Sequence, residues 1–333
     1  MSRLRVKWMP ELSLFVFAAM LLCPSCVYSQ SEKASRSGTG ATVQARLAPV
    51  IQERIVEEAG LIKTGIDQHF SDERMGYLWA SLASDYLRAG DFGDAEGAYI
   101  KSLSFLDHSA LATQNYATAL DNLSMLYLTF GRLEEAERYN KKASSIRKEK
   151  GYRLDFARSE QHKAEIDLGW HRIKEAEEEA TRALAVMEEL NDPEKLDVIS
   201  ALNTLAYTRC LRKRCEQGME AAQRSIELSR RSFGSESVPA AHALMAVGFA
   251  LWKLGRLGDA DSTMREGVRI MKAQSGLRNR TVLLALAQYR DYLKDTHREG
   301  DVEDVTRELA ATKSRDSFCS SCVTVNTLKS SAK

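Results

Sequence analysis

VGFALWKLGRLGDADSTMREGV (residues 247–268) is the stretch that decides the fold. Spacings of 4, 7 and 8 keep its small and apolar residues on one helical face on either side of Gly255. That is the pattern of two amphipathic helices joined by a tight turn. A glycine there ends the first helix in the left-handed conformation with no Cβ penalty. One such hairpin cannot bury its apolar stripe alone, so it needs stacked neighbours.

The neighbours are in the sequence. LASDYLRAGDFGDAEGAYIKSL (82–103) and LSMLYLTFGRLEEAERYNKKAS (123–144) repeat the same pattern. KAEIDLGWHRIKEAEEEATRAL (163–184) and LAYTRCLRKRCEQGMEAAQRSI (205–226) are weaker copies, and a sixth begins at Tyr289. The turn falls at Gly90, Gly131, His171, Lys213, Gly255 and His297, with offsets of 41, 40, 42, 42 and 42. Small residues recur where helices must approach closely. The first helices supply Ala83, Ser124, Ala164, Ala206 and Gly248; the second supply Ala95, Ala136, Ala176, Gly218 and Ala260, then Ser102, Ala143, Ala183, Ser225 and Gly267. Repetition at a fixed period of this size predicts an elongated stack of helical pairs.

Residues 74–313 resemble the tetratricopeptide repeat family. The 42-residue spacing exceeds that family's 34-residue form. With FGSESVPAAHALMAVGFALWKLGRLGDA (233–260), it is similar to the kinesin-light-chain subtype. The resemblance implies an all-α fold, a right-handed α-solenoid of about six hairpins. Residues 44–73, with Leu47, Val50, Ile51, Ile55, Ile62 and Ile66, read as an amphipathic N-terminal capping helix. The sixth copy carries Arg290, Lys294, Asp295 and Glu299, which suits a polar terminal cap.

The resemblance also implies a concave groove lined by the first helices, where a protein or peptide binds. In this register the groove presents Asp121, Asn122, Met125, Arg158, Gln161, His162, Glu165, Asn203, Thr204, Tyr207, His242, Phe249 and Trp252. Asn122 and Asn203 match a position at which the family often bonds a peptide backbone. Tyr207, Phe249 and Trp252 are expected to form an aromatic shelf for an apolar side chain; the alternative is that they pack against neighbouring helices. Lys163 and Asp167 stand where the preceding copies have Leu and Tyr, and Arg209 is the counterpart of Asp167. Stacking predicts that Asp167 and Arg209 pair across the repeat interface, with Lys163 one turn from Asp167; a locally exposed helix face is the alternative.

Other chemistry finds little support. Lys+Arg is 47 against Asp+Glu 46, so no global field draws in nucleic acid. No HExxH, phosphate loop or serine elbow is present, and no cofactor or metal site is implied. The chain is not expected to be an enzyme. Residues 2–8 carry three positive charges and 12–22 (LSLFVFAAMLL) are apolar, the layout of a secretory signal peptide spanning 1–29 with cleavage near Ser29. Eleven helical residues span ~16 Å against ~30 Å of bilayer core, so a lasting membrane span is disfavoured. Residues 30–43 read as a flexible linker and 314–333 as a Ser/Cys-containing tail.

The expected protein is therefore exported and non-catalytic, meeting a membrane only if lipidated at Cys26. Export permits disulfides. Cys210 and Cys215 face each other across a turn, and Cys319-Ser-Ser-Cys322 offers a second pair, as a disulfide or a redox site. The alternative roles are a lipid-anchored assembly factor of an envelope complex and a thiol-redox accessory protein.

Overall fold

A computed structural model describes residues 43–107, 113–191, 195–275 and 280–313. The signal segment, nearly all of the linker, the tail, Cys26, Cys319 and Cys322 lie outside the described residues. The described chain forms thirteen helices and no strand. A lone helix, α1 (Val43–Asp67), precedes six hairpins. These are α2 (Asp72–Ala89) with α3 (Phe92–Leu106), α4 (Thr113–Thr129) with α5 (Leu133–Glu149), and α6 (Arg153–Gly169) with α7 (Ile173–Glu189). Then follow α8 (Lys195–Leu211) with α9 (Cys215–Phe233), α10 (Val238–Lys253) with α11 (Leu257–Ser275), and α12 (Arg280–Asp295) with α13 (Glu299–Lys313). The chain is an all-α solenoid. None of these helices is long and apolar enough to cross a membrane.

The six turns share one closure. Asp91, Arg132, Arg172, Arg214, Arg256 and Arg298 each donate a backbone N–H to the carbonyl five residues back, at 2.8–3.0 Å. This closure needs a left-handed residue just before it. Gly90, Gly131 and Gly255 supply it at φ 84°, 71° and 77°. His171, Lys213 and His297 adopt it too, at φ 60°, 60° and 55°. Stacking thus imposes a conformation that costs a non-glycine residue about 1 kcal/mol.

Small side chains set the close approaches. A Cβ on Gly218 would lie 2.7 Å from the Ala206 carbonyl oxygen and 2.7 Å from Cys210 Sγ. The serines at these positions also cross-link: Ser124 Oγ donates to the Ala136 carbonyl and Ser102 Oγ to that of Gly76, both at 2.7 Å. Among the described residues the buried apolar side chains form three clusters along the array, one from Ile51 to Ile166, a small one around Leu106 and Tyr116, and one from Ala157 to Leu309. Curvature follows from which helices touch. The first helices α4, α6, α8 and α10 lie successively against one another, whereas successive second helices pack mainly on first helices. The first helices are therefore on the inside of the bend.

A charge ladder on the turn side aligns successive hairpins. The arginine just before each second helix reaches an acid on the preceding second helix: Arg132 to Glu96 (3.1 Å), Arg172 to Glu137 (3.0 Å), Arg214 to Glu177, and Arg298 to Asp261 (2.6 Å). The ladder misses one rung. The place of the acid on α9 is taken by Met219, and Arg256 turns to Asp259 on its own helix at 2.6 Å. Glu177 is the most heavily used rung, meeting Arg209, Arg212 and Arg214.

This ladder corrects the expected Asp167–Arg209 pair. Asp167 is held by Lys163 (2.8 Å) and Arg172 (3.1 Å), while Arg209 Nε lies 3.6 Å from Glu177. The second helix α7 places its own carboxylate in front of Arg209, which removes the need to reach across to Asp167.

Candidate functional site

The inner face divides into an aromatic half and a polar half. In the aromatic half, from α8 to α12, the bend is tight enough for the Tyr207 hydroxyl to lie 3.4 Å from Gln288, two hairpins on. Tyr207 and Phe249 ring centroids are 5.0 Å apart, Phe249 and Trp252 5.7 Å, and Trp252 and Tyr292 5.8 Å. Trp252 Nε1 donates to Asp295 at 2.7 Å. Only 4% of Tyr207, 1% of Phe249 and 6% of Trp252 is exposed. The aromatic shelf expected from the sequence is therefore core. Burying three large rings between converging helices is worth more than leaving them in a groove. Met125 and His242, also expected on the groove, are buried. Burial drives the His242 imidazole pKa down to about 4, and its Nε2 has no partner. Asn203 is buried as well, its Oδ1 accepting from Ser225 Oγ at 2.7 Å.

The polar half belongs to α4, α6 and α8. Asp121 on α4 is buried, and four side chains converge on it. Arg147 of α5 forms an ion pair with it, Asn140 Nδ2 donates at 3.3 Å and Ser159 Oγ at 3.2 Å, and His162 Nδ1 lies 3.3 Å away. Burial alone would raise the Asp121 pKa, but Arg147 and His162 hold it far below the usual carboxylate range. Burial likewise works against protonated His162; Asp121 outweighs it, helped by Glu165 and Asp197, and the pKa is raised. The next layer is Glu165. Its Oε1 accepts from Gln161 Nε2 at 3.1 Å and from the Ser200 hydroxyl of α8. Gln161 Nε2 is also 3.0 Å from Thr204 Oγ1. Burial pushes the Glu165 carboxyl up to about 7, against the pull of His162, Ser200 and Gln161. Arg158 spans the edge of the cluster, 3.1 Å from Asp155 and 3.0 Å from Asp197.

The structure thus brings together Asp121, Arg158, Gln161, His162, Glu165 and Thr204 of the expected set. Asn122, Arg158 and His162 are half-buried and form its outer edge. The sequence reading missed Asn140, Arg147, Ser159, Asp197 and Ser200. Ser159 donates to Asp121 and not to His162, so this Ser–Asp–His grouping lacks the nucleophile–base contact of acyl-transfer catalysis. Cys210 and Cys215 form a disulfide across the turn of the fourth hairpin. Among the described residues, no three His, Cys, Asp or Glu side chains are placed to hold a metal ion.

The tetratricopeptide repeat family model matches residues 75–149. That match covers the second helix pair and most of the first, within an all-α solenoid. A Rap protein complexed with Competence and Sporulation Factor has a similar fold, with TM-score 0.58, 11% identity, and coverage of 90% of this chain and 94% of that one. BtubC (BKLC) from P. vanneervenii superposes with TM-score 0.51 at 18% identity, over 70% of this chain and 92% of the other. Aspartyl phosphate phosphatase F from Bacillus subtilis gives TM-score 0.50 at 14% identity, over 94% and 92%. At these identities the likeness is one of fold. No curated protein sequence matches the chain.

Proposed function

We propose that this protein is an exported, non-catalytic scaffold that holds a protein or peptide segment along the inner face of α4, α6 and α8. One observation carries the reading. The inner face keeps a polar band with Asn122, Arg158 and His162 at its edge, while the other half of that face is sealed by aromatic rings. Hydrogen-bonding side chains on a rigid concave wall suit an extended segment with unpaired backbone groups. The complexed Rap protein of similar fold adds support. The turn spacing of 40–42 residues favours the longer, kinesin-light-chain-like repeat.

Export rests on the charged 2–8 and apolar 12–22 segments. A lipid anchor at Cys26 and a redox role for Cys319 and Cys322 are the readings to set against it. Mass spectrometry of the purified protein from its host decides among them: a new N-terminus at Gln30 is expected, an acylated Cys26 assigns the anchor, and an intact Met1 contradicts export. The groove is tested with a random-peptide display library. Wild-type protein is expected to enrich a common sequence pattern that an Asn122→Ala, Arg158→Gln, His162→Gln variant of unchanged helicity fails to enrich. Equal enrichment by both would reject the polar band as the binding surface.

A further inference from the structure

Two acceptor atoms in the polar band meet no donor. Gln161 is 1% exposed; its Nε2 is engaged by Glu165, Ser200 and Thr204, and its Oε1 has no partner. Glu165, also 1% exposed, has its Oε1 occupied and its Oε2 without a partner. The two residues lie four apart on α6, so they share one helix face. Unpaired buried acceptors are rare in folded proteins, and each calls for an explanation. A buried carboxylate is usually paired with a cation, yet the hydrogen-bond partners of Glu165, Gln161 and Ser200, are uncharged. The nearby guanidiniums are committed elsewhere, Arg147 to Asp121 and Arg158 to Asp155 and Asp197. His162 pairs with Asp121 at 3.3 Å and bears on Glu165 through its charge alone.

We infer that Gln161 and Glu165 form the floor of a site for a primary ammonium group, the lysine side chain or free N-terminus of a bound segment. The chemistry matches. A primary ammonium offers three N–H donors and no acceptor. Glu165 Oε2 and Gln161 Oε1 are two open acceptors on side chains that already touch, Thr204 Oγ1 lies 3.0 Å from the same Gln161 amide, and the carboxylate supplies the countercharge. A quaternary ammonium has the charge but no N–H, and so cannot satisfy them. His162, the chain neighbour of Gln161, has a side chain 15% exposed at the edge of the band. Bound ammonium favours the ionised carboxylate, so affinity rises with pH as Glu165 loses its proton. The other titratable groups facing that carboxyl are His162 on α6, Asp197 on α8 and, through His162, Asp121 on α4 with its partner Arg147.

This inference rests on the reading of the inner face as a groove, and its test is independent of any selected peptide. The full chain at pH 8 is titrated with methylammonium, tetramethylammonium or sodium chloride at matched ionic strength, and the thermal midpoint is followed. Methylammonium alone is expected to give a saturable rise. Glu165→Gln and Gln161→Met are each expected to weaken half-saturation at least tenfold, and either suffices if the other fails to fold. Nα-acetyl-lysine methylamide and glycine methylamide then present only a side-chain or only an α-ammonium; saturation by either names the source. Identical responses to all three salts, or a methylammonium response unchanged in the variants, would overturn the site. Intact methylammonium binding beside failed peptide selection would count against the groove and not against the site.

Discussion

Replacing Glu165 by Gln is expected to make the protein markedly more stable above neutral pH and to leave it nearly unchanged in acid. The Glu165 carboxyl rises from 4.5 to about 7 on folding because burial penalises its charge. A raised acid pKa means that the folded state binds the proton more tightly than the unfolded state. The associated stability is complete below the unfolded value of 4.5 and is lost as pH rises through about 7. A shift of this size corresponds to about 3 kcal/mol, and with 1% exposure little of it is discounted for solvent screening. Gln keeps the shape and the hydrogen bond from Ser200 but carries no charge. Urea unfolding of both proteins at several pH values between 4.5 and 8.5 should show a stability difference near zero at the acid end. It should grow toward about 3 kcal/mol at the alkaline end. His162 faces the same carboxyl, so the slope belongs to the pair and is spread over more than one pH unit. A difference that stays constant across this range would refute the buried, proton-holding placement of Glu165.

Three further outcomes follow from the packing. Gly218→Ala should destabilise by about 2 kcal/mol, because its Cβ meets the Ala206 backbone oxygen at 2.7 Å; Gly258→Ala, whose Cβ meets nothing within 4 Å, is the control in the same melts. Glu177→Gln, which strips three arginines of their shared acid, should cost about 1–2 kcal/mol, whereas Glu137→Gln at the exposed rung above it should cost under about 0.5 kcal/mol and less still at high salt. Reduction of Cys210–Cys215 should lower stability by up to about 2 kcal/mol, the closure entropy of so short a loop, and a Cys210→Ala, Cys215→Ala protein should not respond to reductant.

The fold was legible because its determinants are local and recur. Small residues such as Ala83, Ala164 and Ala206 and the turn positions repeat in register. That register located the turn even where His171, Lys213 and His297 replace glycine, and all three take positive φ. The inner face was legible only in part. Periodicity tells which side of a first helix points inward; it does not tell how sharply the array bends. Between α8 and α12 the bend closes on Tyr207, Phe249 and Trp252, so residues on the correct face became core. The polar cluster was half visible, because Arg147 reaches it from the second helix α5 and Ser159, Asp197 and Ser200 give no periodic signal of their own. The charge ladder did leave a signal. Arginine recurs at 132, 172, 214, 256 and 298, and for four of the five the fifth residue of the preceding second helix is an acid: Glu96, Glu137, Glu177 and Asp261. Following that spacing would have given Arg209 and its neighbours their partner, Glu177.

Hydrogen–deuterium exchange with and without a library-selected peptide tests most directly whether the inner face is the binding surface. Protection is expected in residues 113–129, 153–169 and 195–211, the helices that carry the polar band. Protection confined to the second helices, 133–149, 173–189 and 215–233, would move the binding surface to the outside of the bend and end the groove reading.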